Sequence, residues 1–213
     1  VFDLLARKVQ EHGGTVHLSA SVTRISVDDG CTNGMDVALD SQEACFEPFD
    51  AVIATTPSNI FSRLAPPMTS DYLHRLSEVD YMAAVLVVLV LNRPLSHVYW
   101  LNVADRSVPF VAVIEHTNMI GPDHYSGKHI AYISNYIARD HPFYTMEHDE
   151  LLEKYVPHLR KINPEFDPSW IETSYHHRID AAQPVIGTHY SSRIPDHRTP
   201  VPGLYLANTT QVY

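Results

Sequence analysis

Residues 82–91, MAAVLVVLVL, form the longest apolar run of the chain and decide its fold. β-Branched and aliphatic side chains dominate this run, which predicts a central strand with both of its faces covered. The ten residues suffice for a buried strand, whereas a helix needs about 20 to cross a bilayer. The chain does not start with a basic segment followed by an apolar one, so no signal peptide is expected. We therefore expect a sheet-based core and no transmembrane segment.

Shorter apolar and alternating segments follow this run along the chain. Strands are predicted at residues 99–103, 108–114, 129–136 and 170–179. Between the last two, residues 146–162 carry apolar side chains at helical spacing, which predicts an amphipathic helix. The expected fold class is therefore α+β, with a mixed β-sheet flanked by helices.

The N-terminal part of the chain is predicted to contain one helix followed by short strands. Phe2, Leu5, Ala6 and Val9 share one helical face, and the glycine pair at 13–14 ends the helix. A strand, a β-meander and a returning strand are predicted from the extended segments at residues 15–18, 22–27, 35–39, 44–46 and 51–54.

Local signals add detail to this region. Strict alternation is interrupted around Thr23 within the segment 22–27. Thr56 precedes Pro57, so its hydroxyl is expected to cap a short helix whose first residue is the proline. A second helix is expected to begin at position 69 or 70 and to end at about 79.

Composition and charge limit the classes of partner. The 213 residues include 15 Lys and Arg against 25 Asp and Glu, so the formal net charge is −10. Nucleic-acid binding needs a basic surface, and a polybasic membrane-surface module does too, so both are disfavoured. Cys31 and Cys45 are interpreted as ordinary thiols in a reducing cytoplasm, with pairing across a hairpin as the alternative. We therefore expect a cytoplasmic protein that does not bind nucleic acid.

Familiar catalytic motifs are missing from the sequence. The eight glycines form neither a G-x-G-x-x-G nor a Walker spacing. The 14 histidines include the neighbours His176 and His177, but adjacent strand residues point to opposite faces, and no known metal-ligand spacing occurs. A G-x-S-x-G elbow is also missing. These patterns predict no metal site and leave the catalytic residues unassigned.

Five segments together, in their order along the chain, carry a family resemblance. They are GGTVHL at 13–18, SVTRI at 21–25, FDAVIATTP at 49–57, AQPV at 182–185 and PGLYLA at 202–207. This order resembles the flavin-containing amine oxidoreductase superfamily, which includes amine oxidases, protoporphyrinogen oxidases and phytoene-desaturase-like enzymes. The resemblance implies an internal fragment that begins after the glycine-rich unit that binds the FAD diphosphate.

The resemblance also implies a division of the chain and a set of site residues. Residues 1–76 would be a partial FAD-binding domain, 77–200 a substrate-binding domain and 201–213 a strand returning to the FAD domain. The cofactor-binding candidates that it implies are Val22, through its backbone, Ala54, Thr55, Thr56, Ala207, Asn208 and Thr209. The substrate-pocket candidates are Arg178, Gln183 and Tyr190, each of which could equally be an ordinary sheet or loop residue.

One departure from the family pattern concerns the end of the last strand. The family reads Ala-Gly-Asp or Ala-Gly-Glu there, whereas this sequence reads Ala207-Asn208-Thr209. Acidic recognition of the flavin's ribityl or diphosphate groups is therefore in doubt at this position.

The function implied by the resemblance is that of an FAD-dependent oxidoreductase. The full-length enzyme would transfer a hydride from a carbon of a small-molecule substrate to flavin N5, while this fragment alone would be inactive and would lack FAD. Two alternatives stay open, a non-catalytic domain that binds a small molecule or protein, and a flavin-dependent nucleotide-sugar mutase, whose expected arginine cluster is not evident because the arginines are spread out. The sequence does not specify the substrate, the electron acceptor or the oligomeric state.

Overall fold

The computed structural model describes residues 2–40 and 42–212, with the backbone alone for Ser70. The chain folds as two compact units. The first comprises the residues up to Val79 together with those from Ile186 onward, and the second is Asp80–Val185. Both helices and sheets are present, so the predicted α+β class is confirmed. The predicted boundaries at 76/77 and 200/201 differ from this division, and the functional labels of the domains stay a prediction.

The helices and strands follow one another in a simple order. The first unit contains α1 (Phe2–Glu11), β1 (Ala20–Asp28), β2 (Cys31–Leu39), β3 (Cys45–Pro48), β4 (Val52–Ala54), α2 (Ser58–Leu64) and α3 (Ser70–Ser77). The second contains β5 (Tyr81–Leu91), β6 (Trp100–Asn102), β7 (Ala112–Glu115), β8 (His129–Ile137), α4 (Pro142–Thr145), α5 (His148–Tyr155) and β9 (Ile171–Pro184). The chain then re-enters the first unit, where β10 (Leu204–Leu206) forms.

After α1, the strands β1, β2 and β3 form an antiparallel meander, as the sequence predicted. The expected break in alternation is a register shift between Val22 and Arg24. Gly34 lies where β2 meets β3, and a Cβ there would stand 2.2 Å from the carbonyl oxygen of Glu47. Only glycine permits so close an approach of the two backbones.

Residues 15–18 were predicted as a strand, and this prediction is wrong. The chain leaves α1 through Gly13 at a φ of +84°, and β1 begins only at Ala20. The intervening side chains are exposed. The apolar face predicted for α1 is present in sequence, but the helix buries no side chain, and Phe2 is 85% exposed.

A small apolar core stabilises the first unit. Its buried members come from β1, β4, α2, α3, β10 and the segment just before β10, and are Ile25, Val52, Phe61, Tyr72, Leu76, Val201, Leu204 and Leu206. Within it, β10 pairs in parallel with β4, so that Leu204 lies opposite Val52 and Leu206 opposite Ala54. The return strand expected near the end of the chain therefore forms.

The start of α2 differs from the prediction. Pro57 occupies the N-cap position, the helix begins at Ser58, and no side chain caps it. The Thr56 hydroxyl is buried and has no hydrogen-bond partner among the described residues. The second predicted helix, α3, starts as expected but ends at Ser77.

The second unit is built on a five-stranded sheet in the order β6-β7-β8-β5-β9. Its four recorded strand pairs are antiparallel, whereas a mixed sheet was expected. The parallel pair of the structure is β4–β10 in the first unit. Residues 82–91 lie within β5, at the inner position between β8 and β9, as predicted for a central strand.

One face of this sheet packs against helices and forms the main core. The odd-numbered residues of β5 from Val85 to Leu91 point into it, where they meet Leu151, Tyr155 and Leu159. The even-numbered residues from Leu86 to Val90 point to the opposite face and are only half-buried. The prediction that both faces are covered is therefore wrong, because an apolar run looks the same whether one or both of its faces are packed.

The helix predicted over residues 146–162 is shorter than expected. α5 ends at Tyr155, and a 3₁₀-helix covers Val156–Lys161. Pro157 lies at this change, and proline has no N–H for an α-helical hydrogen bond. Strand bounds also move, since β6 spans three residues, β7 begins at Ala112 and β9 continues to Pro184. None of the described helices is long and apolar enough to span a bilayer.

Candidate functional site

The parallel strands β4 and β10 bring two predicted segments to the same edge of their sheet. Both strands end there, β4 at Ala54 and β10 at Leu206. The backbone N–H of Ala207 donates to the carbonyl oxygen of Ala54 at 2.9 Å, which ties the two strand ends together. Six predicted cofactor-binding residues therefore follow one another around a single edge, namely Ala54, Thr55, Thr56, Ala207, Asn208 and Thr209.

Asn208 links the two strand ends through its side chain. Its amide nitrogen donates to the carbonyl oxygen of Thr56 at 2.9 Å and to the hydroxyl of Ser58 at 3.2 Å. Its amide oxygen accepts from the backbone N–H and the hydroxyl of Thr210 at 3.0 and 2.6 Å. The Gln211 side chain accepts from the Asn208 N–H at 3.0 Å. This bond completes a capping box at the start of a 3₁₀-helix, Thr209–Gln211. The amide is thus engaged by the protein itself, at the position where the family pattern has glycine.

We expect Asn208→Asp to lower the free energy of unfolding by about 2 kcal/mol at neutral pH. A carboxylate loses both donor bonds and places a negative charge beside the Thr56 carbonyl oxygen. Urea unfolding followed by circular dichroism gives the value. Asn59→Asp, which adds the same charge to an exposed position in α2, should change stability by less than about 0.5 kcal/mol. Equal effects of the two substitutions would contradict the linking role of Asn208.

Tyr190 lies in the first unit and has a structural role there. Its side chain is buried, and its hydroxyl donates to the carbonyl oxygen of Thr210. The Thr210 hydroxyl in turn lies 3.3 Å from that of Ser58. Tyr190 therefore supports the turn that follows β10, a role that its sequence neighbourhood does not indicate.

The edge formed by the ends of β4 and β10 offers neutral hydroxyl groups to a ligand. Thr55 and Thr209 are exposed, while the Thr56 hydroxyl is buried without a partner. A buried polar atom normally has a hydrogen-bond partner, so an unpaired one is a place where a ligand can supply it. None of the six residues carries a charge, and two are alanines that leave room beside the backbone. This donor set fits a neutral sugar or ribityl oxygen of a nucleotide cofactor.

Val22 belongs to the other sheet of the first unit. It lies on β1, pairs with Val37 and is half-buried beside the register shift. A bulge of this kind leaves backbone groups outside the regular ladder. The predicted use of its backbone by a nucleotide base stays a prediction.

Arg178 and Gln183 lie on β9 but point to opposite faces of the second unit's sheet. Arg178 is opposite Val85 on the packed face. Its guanidinium donates to the carbonyl oxygen of Met146 and lies 3.5 Å from the Glu147 carboxylate. Gln183 is opposite Met82 and is exposed. Of the three predicted pocket residues, Arg178 and Gln183 therefore lie on opposite faces of one sheet, and Tyr190 lies in the first unit.

The face of the sheet that lies opposite the helices is a second candidate surface, which we call the open face. It consists of the even-numbered residues of β5, β6, β7 and β8, the odd-numbered residues 173–179 of β9, and Gln183, as the strand register places them side by side. Several of its large apolar side chains are exposed, among them Trp100 at 51%, Tyr175 at 55% and Ile179 at 47%. Contiguous exposed apolar surface of this kind marks interaction sites.

An aromatic cluster lies beside the open face. The His116 ring contacts Tyr132 of β8 edge-to-face, with ring centroids 5.8 Å apart. Its Nε2 lies 2.6 Å from the Tyr125 hydroxyl. The sequence analysis missed this cluster, although the alternation of Tyr132, Ser134 and Tyr136 was a usable signal.

A buried carboxylate at the end of β7 was also missed. Glu115 is fully buried and accepts from the backbone N–H groups of Leu95 and Ser96 at 3.1 and 3.3 Å. The Thr117 hydroxyl donates to it at 2.9 Å, and His129 Nδ1 lies 3.8 Å away. Burial raises the pKa of Glu115 above its ordinary value, although these four neighbours oppose the shift. Within the described residues, no group of three or more His, Cys, Asp or Glu could hold a metal ion.

Comparisons with known proteins show what the chain as a whole is similar to. The family described as flavin containing amine oxidoreductase matches residues 2–211. None of the curated proteins compared with the chain matches it. An oxidoreductase structure from Methanosarcina mazei aligns with a TM-score of 0.71 at 20% identity, over 98% of this chain and 48% of that one.

Two further solved structures share the fold. A putrescine oxidase with bound putrescine aligns with a TM-score of 0.68 at 16% identity, over 96% of this chain and 46% of that one. Reduced UDP-galactopyranose mutase aligns with a TM-score of 0.64 at 14% identity, over 91% of this chain and 41% of that one. The chain therefore spans just under half the length of these structures.

Proposed function

This chain belongs to the flavin containing amine oxidoreductase family, and we propose that it is part of a longer FAD-dependent oxidoreductase. The proposal of a longer polypeptide is supported by the share of the aligned structures that the chain covers, 48% for the oxidoreductase and 46% for the putrescine oxidase. The first unit would supply part of the cofactor site, and the second would bind the substrate.

The edge formed by β4 and β10 is the observation that carries this proposal. Thr56 would donate its buried, unpaired hydroxyl to a cofactor oxygen, and the exposed Thr55 and Thr209 would add further hydroxyl contacts. Asn208 holds the strand ends together and so positions these groups. Val22 would contact the adenine through its backbone.

The chemistry follows from the family. When bound, FAD accepts a hydride at N5 from a substrate carbon. The residues of this chain would bind and orient the substrate and keep water from it. In the second unit, Gln183 lies on the open face and stays a candidate for the substrate pocket, whereas Arg178 is engaged by Met146 and Glu147 on the packed face. Tyr190 would act through the turn after β10, by supporting Thr210.

Flavin content is the direct test of this proposal. We expect the purified longer polypeptide to show visible flavin absorbance, and residues 1–213 alone to show none and to be inactive. A longer polypeptide without flavin would overturn the proposal and favour the non-catalytic binding domain. Bound flavin in residues 1–213 alone would overturn the division of the cofactor site between this chain and the sequence that extends it.

We expect Thr56→Val to weaken FAD binding by the longer polypeptide by about tenfold. The substitution keeps the shape of the side chain and removes one hydroxyl, and a hydrogen bond contributes about 1 kcal/mol or somewhat more. Titration of the flavin-free protein with FAD, followed by flavin fluorescence, gives the dissociation constant. Thr69→Val, at an exposed position, is the matched control and should leave the constant unchanged. Unaltered binding by Thr56→Val would remove Thr56 from the cofactor site.

A further inference from the structure

The strands of the second unit's sheet carry few charged residues, and all of them lie off the open face. Among the described residues of β5 to β9, the charged ones are Glu115, Glu172, Arg178 and Asp180. Glu115 lies opposite Ala131, and Arg178 opposite Val85, on the packed face. The open face, as defined by its strand positions, therefore contains no Asp, Glu, Lys or Arg.

The remaining two acidic residues are engaged elsewhere. Glu172 lies at a register shift near the start of β9 and binds Lys128, with 2.6 Å between the ammonium and the carboxylate. Asp180 lies in a second irregular stretch of β9 and accepts from the Tyr144 hydroxyl of α4. Both carboxylates thus have partners within the protein, the Lys128 ammonium and the Tyr144 hydroxyl.

The open face carries His177 but no carboxylate, ammonium or guanidinium group, and this absence discriminates between classes of ligand. An ammonium group that leaves water without a carboxylate partner loses several kcal/mol of hydration free energy. A diphosphate loses still more without an arginine or lysine to bind it. An apolar molecule, in contrast, gains about 25 cal/mol for each Å² of apolar surface that it buries.

Aromatic side chains add a preference for rings. Tyr132 and Tyr175 flank Val88 on the two neighbouring strands, so two aromatic rings lie on either side of an aliphatic side chain. Aromatic rings gain from stacked and edge-to-face contacts beyond the area that they bury. The hydrogen-bonded pair of His116 and Tyr125 borders Tyr132 and provides a polar contact at one end.

We propose that the open face binds an uncharged, predominantly apolar substrate that carries a ring. This inference rests on the proposed function and specifies its substrate class. It differs from what the names of the aligned structures indicate, a diamine for the putrescine oxidase and a nucleotide sugar for the mutase.

Binding of Nile red, a neutral ring-bearing dye, to the purified longer polypeptide tests the inference. We expect saturable binding that weakens at least tenfold in Tyr175→Lys and in Ile179→Lys, both of which place a charge at an exposed position of the open face. Leu18→Lys, at an 83% exposed position of the first unit, is the matched control and should change the dissociation constant less than twofold. Millimolar putrescine or UDP-galactopyranose should not displace the dye.

The outcomes separate this inference from the proposed function, because flavin absorbance is recorded on the same samples. Displacement by either charged competitor, or equal binding by the wild type and both open-face variants, overturns the substrate class even when flavin is bound. Absence of flavin from the longer polypeptide overturns the proposed function, whether or not Nile red binds. Circular dichroism of each variant confirms folding, and Tyr175→Phe, which keeps the ring uncharged, should bind like the wild type.

Discussion

Replacing Tyr155 by alanine is expected to lower the free energy of unfolding of the second unit by about 4 kcal/mol. The side chain is 1% exposed and lies at the centre of the packed face. Its ring makes edge-to-face contacts with Phe110 and Phe143 at centroid distances of 5.4 and 5.7 Å. Truncation removes these contacts and leaves a cavity that the neighbouring strands are too constrained to fill.

The matched substitution is Tyr155→Phe. It keeps the ring and removes only the hydroxyl, which lies 3.4 Å from the Asn135 amide nitrogen, so the expected loss is about 1 kcal/mol. Urea unfolding followed by tryptophan fluorescence measures both variants, because Trp100 and Trp170 both lie in the second unit. Similar losses for the two substitutions would mean that the hydroxyl, and not ring packing, stabilises the core at this position.

Replacing Glu115 should change how stability depends on pH. Burial raises the pKa of this carboxyl above 4.5, its ordinary value, in the folded state. The folded state therefore binds the proton more tightly than the unfolded state does, and the resulting stabilisation is complete below about pH 4.5. It is lost as the pH rises through the folded-state pKa. Glu115→Gln, which is permanently neutral, should remove this fall in stability.

The comparison requires unfolding free energies of wild type and Glu115→Gln at a series of pH values from 4 upward, so that the difference between them isolates the carboxyl. His129 is the nearest titratable group and is present in both proteins. Glu115→Ala should be less stable than Glu115→Gln by about 3 kcal/mol at every pH, because Leu95, Ser96 and Thr117 lose the acceptor that the Gln side chain can still supply. A difference between wild type and Glu115→Gln that does not vary with pH would show that Glu115 has its ordinary pKa.

Much of the secondary structure was predictable because local patterns determine it. The meander follows from alternation and turn residues, and the bulge near Thr23 was visible as a break in that alternation. The central strand follows from residues 82–91. The 3₁₀-helix after Tyr155 was missed because apolar spacing alone was used to extend the helix. Pro157 was the signal in the sequence that the α-helix ends there.

The candidate site was predictable only in part. The resemblance pointed to the segments around Thr56 and Asn208, and the structure brings them to one edge, but their roles in cofactor binding stay a prediction. The bonds of Asn208 join residues about 150 positions apart, 208 to 56 and 58, and no local pattern reveals such contacts. The same holds for the open face, whose lack of charge becomes visible only once the register of β9 against β5 is known.

The pairing of β4 with β10 has a consequence for the synthesis of the protein. All of residues 80–185 lie between these strands in the chain, so β4 of a nascent chain lacks this partner strand until the ribosome has made residues 204–206. Ile53 on that strand is 67% exposed even in the finished fold. During this interval β4 is a segment that a chaperone would shield, and a chain interrupted before Leu204 leaves its partner strand permanently missing.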